Sequence, residues 1–237
     1  MLELTVVVAV CSLIQSVFGV GLLVLGTPAL LFLGYSFPAA LFRLLPCSIL
    51  ISSLQLKDDA DQAHDLLTVY LTALTPAVAL GATIIFCSDR HLNIRPFVGA
   101  RLLLSALLRS SEKLRERLAR KLAPSLKSSL AVIGFIHGMT NMGGGLLTAL
   151  ANALFTDKIA VRANIALGYW IMAVIQFGFL LFFKGPQGSF SELLLLLGLS
   201  TLSYLALGRR AFRHTTQMIF QHSMTILMVL CGVLLIK

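Results

Sequence analysis

The chain has 237 residues, 57% of them hydrophobic and only 12% charged, with a mean hydropathy of +0.90. A soluble domain carries about 25% charged residues, so this composition excludes an ordinary soluble fold. The net charge of +9 would point to nucleic acid on a soluble protein, but no soluble basic domain is present to bind one.

In chain order, apolar segments fall at about 4–33, 38–56, 66–88, 96–108, 128–156, 159–183, 189–208 and 215–236. Most match the roughly 20 residues of a spanning helix. None alternates polar and apolar residues over about ten positions, as a barrel strand would. The expected class is therefore an all-α integral membrane protein with about eight hydrophobic segments, multi-pass, with the lipid bilayer as its surroundings. Residues 4–42 contain no Asp, Glu, Lys or Arg. The start of the chain has no basic region and no small-residue cleavage site, so residues 1–35 read as structure rather than a removed signal peptide.

Two segments have the wrong length. At 1.5 Å per residue, 4–33 and 128–156 would each reach about 45 Å as helices, against an apolar slab of about 30 Å. They are also too short for two spans and a loop. Both carry glycines: "QSVFGVGLLVLGTPALLFLGY" and "HGMTNMGGGLLTALANALF". Laying Gly19 and Gly21 on Gly143 and Gly145 also sets Leu22-Leu23 on Leu146-Leu147, and Ala29-Leu30 on Ala153-Leu154. Each long segment precedes a helix with an arginine near its start, Arg43 or Arg162. The expected plan is two related halves, 1–108 and 128–237, each a broken Gly-rich segment plus three transmembrane helices.

Residues 109–127 join them, with seven cations (Arg109, Lys113, Arg115, Arg117, Arg120, Lys121, Lys127) against two glutamates. This is the strongest positive-inside signal in the chain, so the linker is placed in the cytoplasm, with leucines at 114, 118 and 122 for the inner leaflet. Counting crossings from it, Arg209, Arg210 and Arg213 stay inside only if 128–156 dips in and returns. Three full crossings per half then turn the halves upside-down to each other, an inverted repeat. The loop 57–65 is acidic, and Arg90 and Arg95 fall outside on this count.

Unpaired backbone amides cost several kcal/mol each in hydrocarbon, so a break survives only against a cavity or packed protein. Glycine permits the break, and the half-helix after it presents free N–H groups and partial positive charge. Gly143, Gly144 and Gly145, with Gly19 and Gly21, are therefore candidate anion-binding positions; close helix packing is the alternative use of such small residues. Asn141 and Asn152 either bond an oxyanion or cap the half-helices. His137 either carries a coupling proton or sits neutral on a carbonyl. Arg43 and Arg162 either snorkel to the interface or hold the anion, and Asn164, Gln176, Gln15 and Gln55 are weaker candidates of the same kind. His64, Arg90 and His91 read as loop residues.

Cys11, Cys47, Cys87 and Cys231 lie in or beside apolar runs without a CxxC pair, and read as small buried hydrophobes. No GxxxxGK[ST], HExxH or GxSxG motif occurs, so neither ATP-driven pumping nor enzymatic chemistry is expected, and no cofactor or metal.

The broken segments, with the helix entries "SFPAALFR" and "KIAVRANIA" that follow them, resemble the TauE/SafE sulfite-exporter family of bacterial membrane permeases. Gly143–Gly145 match that family's second-half glycine run; Val20 interrupts it in the first half. The resemblance implies movement of sulfite, sulfonates or similar small anions across the cytoplasmic (inner) membrane, driven by a proton or sodium gradient. A non-transporting scaffold or a membrane redox component is the alternative.

Overall fold

The computed structural model describes residues 2–62, 66–87, 125–155, 157–216 and 218–219. Segment 96–108, nearly all of the basic linker, most of 215–236, His64, Arg90, His91, Arg95 and Cys231 lie outside them. Among the described residues every regular element is helical.

Helix α1, Leu2–Phe18, stops because Gly19 turns left-handed at φ 72°, its N–H still donating to the Gln15 carbonyl at 2.8 Å. Glycine takes that angle without strain. Helix α2, Leu22–Phe32, opens with a π-helical turn, Leu22–Gly26, and continues as α-helix from Thr27. Pro28 has no N–H to return to the preceding turn, and the wide π-helical turn stands directly before it. Helix α3, Phe37–Asp58, starts where the Ser36 hydroxyl accepts the Ala39 N–H. After a short turn at Ala60–Gln62, α4 runs Leu67–Cys87, with a π-helical turn at Tyr70–Leu74.

Helix α5, Leu126–Thr140, ends as α1 does, on a left-handed residue, here Asn141 at φ 59°. The α6 helix, Gly144–Leu154, follows directly. Helix α7, Lys158–Lys184, is capped by the Asp157 carboxylate, which accepts the Ile159 and Ala160 N–H groups at 3.0 Å. Helix α8, Phe190–His214, is capped by Ser189 and contains a π-helical turn at Ser203–Gly208. Of these, α3, α4, α7 and α8 are the four that are long and apolar enough to cross a membrane.

The apolar runs of the sequence thus become these helices, and both over-long runs are interrupted. Cys11 and Cys47 are buried; Cys87 is exposed at the end of α4, which corrects its reading as a buried hydrophobe.

Helices α3 and α7 pack along each other at the centre. Helix α1 packs on α8, and α5 on α4, so each half supplies the wall for the other half's first helix. The α4–α5 contact is close because glycine faces backbone: a Cβ on Gly138 would strike the Val78 carbonyl, and one on Gly134 would stand 2.6 Å from the Leu74 carbonyl. Polarity runs opposite to that of a soluble protein. Gln15, Ser48, Ser52, Gln55, His137, Asn141, Asn164 and Gln176 are fully buried, while Val6, Leu71, Leu80, Val132, Phe182 and Leu194 face outward. Water would not tolerate that arrangement, but lipid favours it.

Candidate functional site

The two breaks lie in buried protein and are built alike. After α1, Gly19 donates to the carbonyl of Gln15; after α5, Asn141 donates to that of His137 at 2.6 Å. A Cβ on Gly21 would press on the Gln15 backbone and the Cys11 carbonyl; one on Gly143 would press on His137 and the Ile133 carbonyl. Gln55 of α3 donates its amide to the carbonyls of Gln15 and Ser16 at 2.7 and 3.2 Å. Gln176 of α7 does the same to His137 and Gly138 at 3.3 and 3.1 Å. Each glutamine satisfies a carbonyl that the interrupted helix leaves over, that of Ser16 or Gly138, and adds a second bond to the carbonyl before it. The register differs from the glycine-on-glycine match: Gly21 stands where Gly143 does, and Gly19 where Asn141 does.

Around the second break, Gly143, Gly144, Gly145, Asn141 and His137 come together and are buried. The Asn141 amide donates to the Thr27 hydroxyl of α2 at 2.8 Å, tying the two breaks to each other. Tyr169 of α7 joins them. Its ring meets His137 edge-on at 6.1 Å, and its hydroxyl lies against the Gly144 main chain, where any side chain would collide with it. Sequence reading missed Tyr169, since one tyrosine inside an apolar helix carries no pattern.

The remaining candidates stand elsewhere. Asn152 is at the far end of α6, about 12 Å from Gly144 at helical rise, and lines a cavity of about 30 Å³ with Val17, Phe18 and Arg162. Asn164 donates to the carbonyls of Ala160 and Gln62. Neither arginine reaches the His137 cluster. The Arg43 guanidinium is paired with Glu192 at 2.9 Å, and bonds the Ala39 and Gln187 carbonyls. That of Arg162 makes a two-pronged pair with Asp59, 2.8 Å on each arm, and stacks 3.4 Å from the Phe212 ring centre. Both carboxylates escaped the sequence reading, because Asp59 sits just past the apolar run and Glu192 in the first turn of α8.

The two pairs stand at opposite ends of α3. At its C-terminal end Asp58 also accepts from Tyr204 at 2.6 Å and Arg209 at 2.9 Å. An open cavity of about 270 Å³ lies there, with Lys158, Arg162, Arg209 and Arg213 outnumbering Asp58 and Asp59 in its lining. Its mouth is net positive, which concentrates anions. Burial pushes the Asp59 carboxyl up from the ordinary carboxylate value, against the pull of the Arg162 guanidinium. Among the described residues no group of three or more His, Cys, Asp or Glu side chains is placed to hold a metal ion.

An outward apolar surface, a buried polar interior and interrupted helices at its centre define an integral membrane protein of the permease class. The sequence model of the sulfite exporter TauE/SafE family matches residues 4–235, nearly the whole chain, and the chain belongs to that family. The family is one of membrane transporters for sulfite-like anions. No curated protein and no solved structure matches the chain.

Proposed function

We propose that the chain is a secondary transporter for small anions, of the sulfite or sulfonate kind, driven by an ion gradient across the inner membrane. The observation that carries this reading is the pair of helix breaks in the buried centre, set among the buried polar residues Gln15, His137 and Asn141 rather than against lipid. In hydrocarbon such breaks are costly unless packed protein or a cavity receives them, and a solute path through the buried centre is the use that the polar side chains there support.

The halves 1–108 and 128–237 act as inverted repeats, each with a re-entrant broken segment, joined by the basic linker at the cytoplasmic face. The like construction of the breaks supports this, as does the exchange of α1 and α5 between halves. Lys158, Arg162, Arg209 and Arg213 gather at one end, which the positive-inside rule assigns to the cytoplasm.

Uptake of labelled sulfite by proteoliposomes tests the reading, with Gly144→Leu as control. The side chain would run into Tyr169 and close the break. Gradient-dependent uptake that Gly144→Leu abolishes is the expected result. Uptake equal to that of empty liposomes refutes transport of sulfite, and unchanged uptake by the variant refutes the site.

A further inference from the structure

The two breaks are built alike but are not satisfied alike. At the first, the Gln15 side chain is fully bonded, and the Gln55 Oε1 is the one side-chain atom left over among the residues around it. Its Oε1 accepts the Leu22 N–H at 3.2 Å, the amide that opens α2. Its Nε2 donates to the Ser48 hydroxyl at 2.9 Å, with the Ser48 carbonyl and Ser52 hydroxyl at 3.2 and 3.3 Å. At the second, His137 holds the place of Gln15 and Tyr169 that of Ser48, each two helical turns before its glutamine on the central helix. There the same positions are left over. The Tyr169 hydroxyl and the Asn141 Oδ1 are fully buried without a hydrogen-bond partner, and the equally buried His137 ring has only the Gln176 side chain to bond, which leaves at least one ring nitrogen over. No side chain caps α6, whose Gly144 and Gly145 amides have no acceptor within the helix.

Buried polar groups are almost always paired, because each orphan costs more than a typical bond returns. One orphan invites no conclusion, but three side chains with bonding capacity left over, gathered on an uncapped helix start, do, since the twin break leaves over only the Gln55 Oε1. We propose that the protein has one anion site, not two: His137, Tyr169 and the Gly144–Gly145 amides bind a small oxyanion at the second break, while Gln15 seals the first as a structural joint. The inference rests on the transporter reading above and narrows it. The donors match the chemistry: a hydroxyl, an imidazole N–H and main-chain amides each address one oxygen of a pyramidal or tetrahedral anion. Asn141 completes the shell in either amide orientation, since the Thr27 hydroxyl it touches both donates and accepts. The Tyr169 hydroxyl now rests on the Gly144 main chain, so the ring turns aside as the anion enters and then stays beside it.

The test titrates sulfite into the purified full-length chain in detergent by calorimetry, and records melting temperature with and without sulfite. The wild type is expected to bind one sulfite per chain. Tyr169→Phe keeps the ring and removes only the hydroxyl. It is expected to weaken sulfite binding about tenfold or more, the loss of one bond to a charged group, and to melt no lower than wild type without sulfite. Ser48→Ala, the matching change at the first break, is expected to melt lower but bind sulfite within about twofold of wild type, since it loosens Gln15 and not the site. Two sulfites per chain, or equal weakening by both variants, overturns the single site. So does a Tyr169→Phe that melts lower with affinity unchanged, which makes the hydroxyl structural. A wild type that neither binds sulfite nor carries it into proteoliposomes overturns the transporter reading, and this inference with it.

Discussion

Replacing Asp59 by Asn leaves the Arg162 charge without its counter-charge in a buried place. The two side chains are 6% and 7% exposed, and both arms of the bond are 2.8 Å. Removing one partner of a buried pair costs about 3–5 kcal/mol. Arg162 keeps its stack on Phe212 in both forms, so that contact cancels and the full loss of about 3–5 kcal/mol is expected. For a chain of this size that lowers the melting temperature by about 6–20 °C, at about 2–4 °C per kcal/mol. Arg162→Gln added to Asp59→Asn removes the stranded charge and is expected to recover at least half of the loss. The neighbouring pair sets the scale. Arg209 is 46% exposed on Asp58, and Arg209→Gln is expected to cost under about 1 kcal/mol. Thermal unfolding in detergent, followed by intrinsic fluorescence, measures all three. An Asp59→Asn shift no larger than that of Arg209→Gln, or a double variant no better than the single, refutes the assignment of a buried, mutually dependent pair.

Gln55→Leu and Gln176→Leu each strip the bond from a helix-end carbonyl, those of Ser16 and Gly138. Each is expected to cost about 1–3 kcal/mol, read as a fall in melting temperature of similar size for both. Gly138→Val pushes a side chain into the Val78 carbonyl of α4, and is expected to destabilise by about 1–3 kcal/mol; Gly178→Val, at a site with open space around the Cβ, is the control that should melt near wild type. In a Cys231→Ser background, a maleimide is expected to label Cys87 in the folded chain, and Cys11 and Cys47 only after denaturation, by mass spectrometry.

The helices were legible because composition and length speak directly in a membrane protein. An uncharged run of about 20 residues has little choice but to be helical. The interruption of the two long runs was legible for the same reason, since neither length fits the slab. The register between them was not. Glycine matched to glycine put Gly19 on Gly143, whereas the backbone sets Gly19 on Asn141, because left-handed geometry accepts either residue. Spacing of identical letters cannot see that equivalence. The roles of the arginines were also hidden. Their partners Asp59 and Glu192 come from the opposite half of the chain, and pairing at such separation leaves no local trace. His137 and Asn141 were visible as polar letters in a greasy run. Tyr169 was not, because a tyrosine in such a helix is ordinary until its hydroxyl proves to have no partner.

The exchange of first helices has a consequence for synthesis. Helix α1 is made first, yet the surface that covers it belongs to α8, which begins at Phe190. At about 5–20 residues per second, α1 waits roughly 10–40 seconds on the ribosome-bound chain before its neighbour exists. During that interval Ser12 and Ser16, which α8 covers at Ser200 and Gly208, face lipid or an insertion chaperone, and a chain released early strands them there.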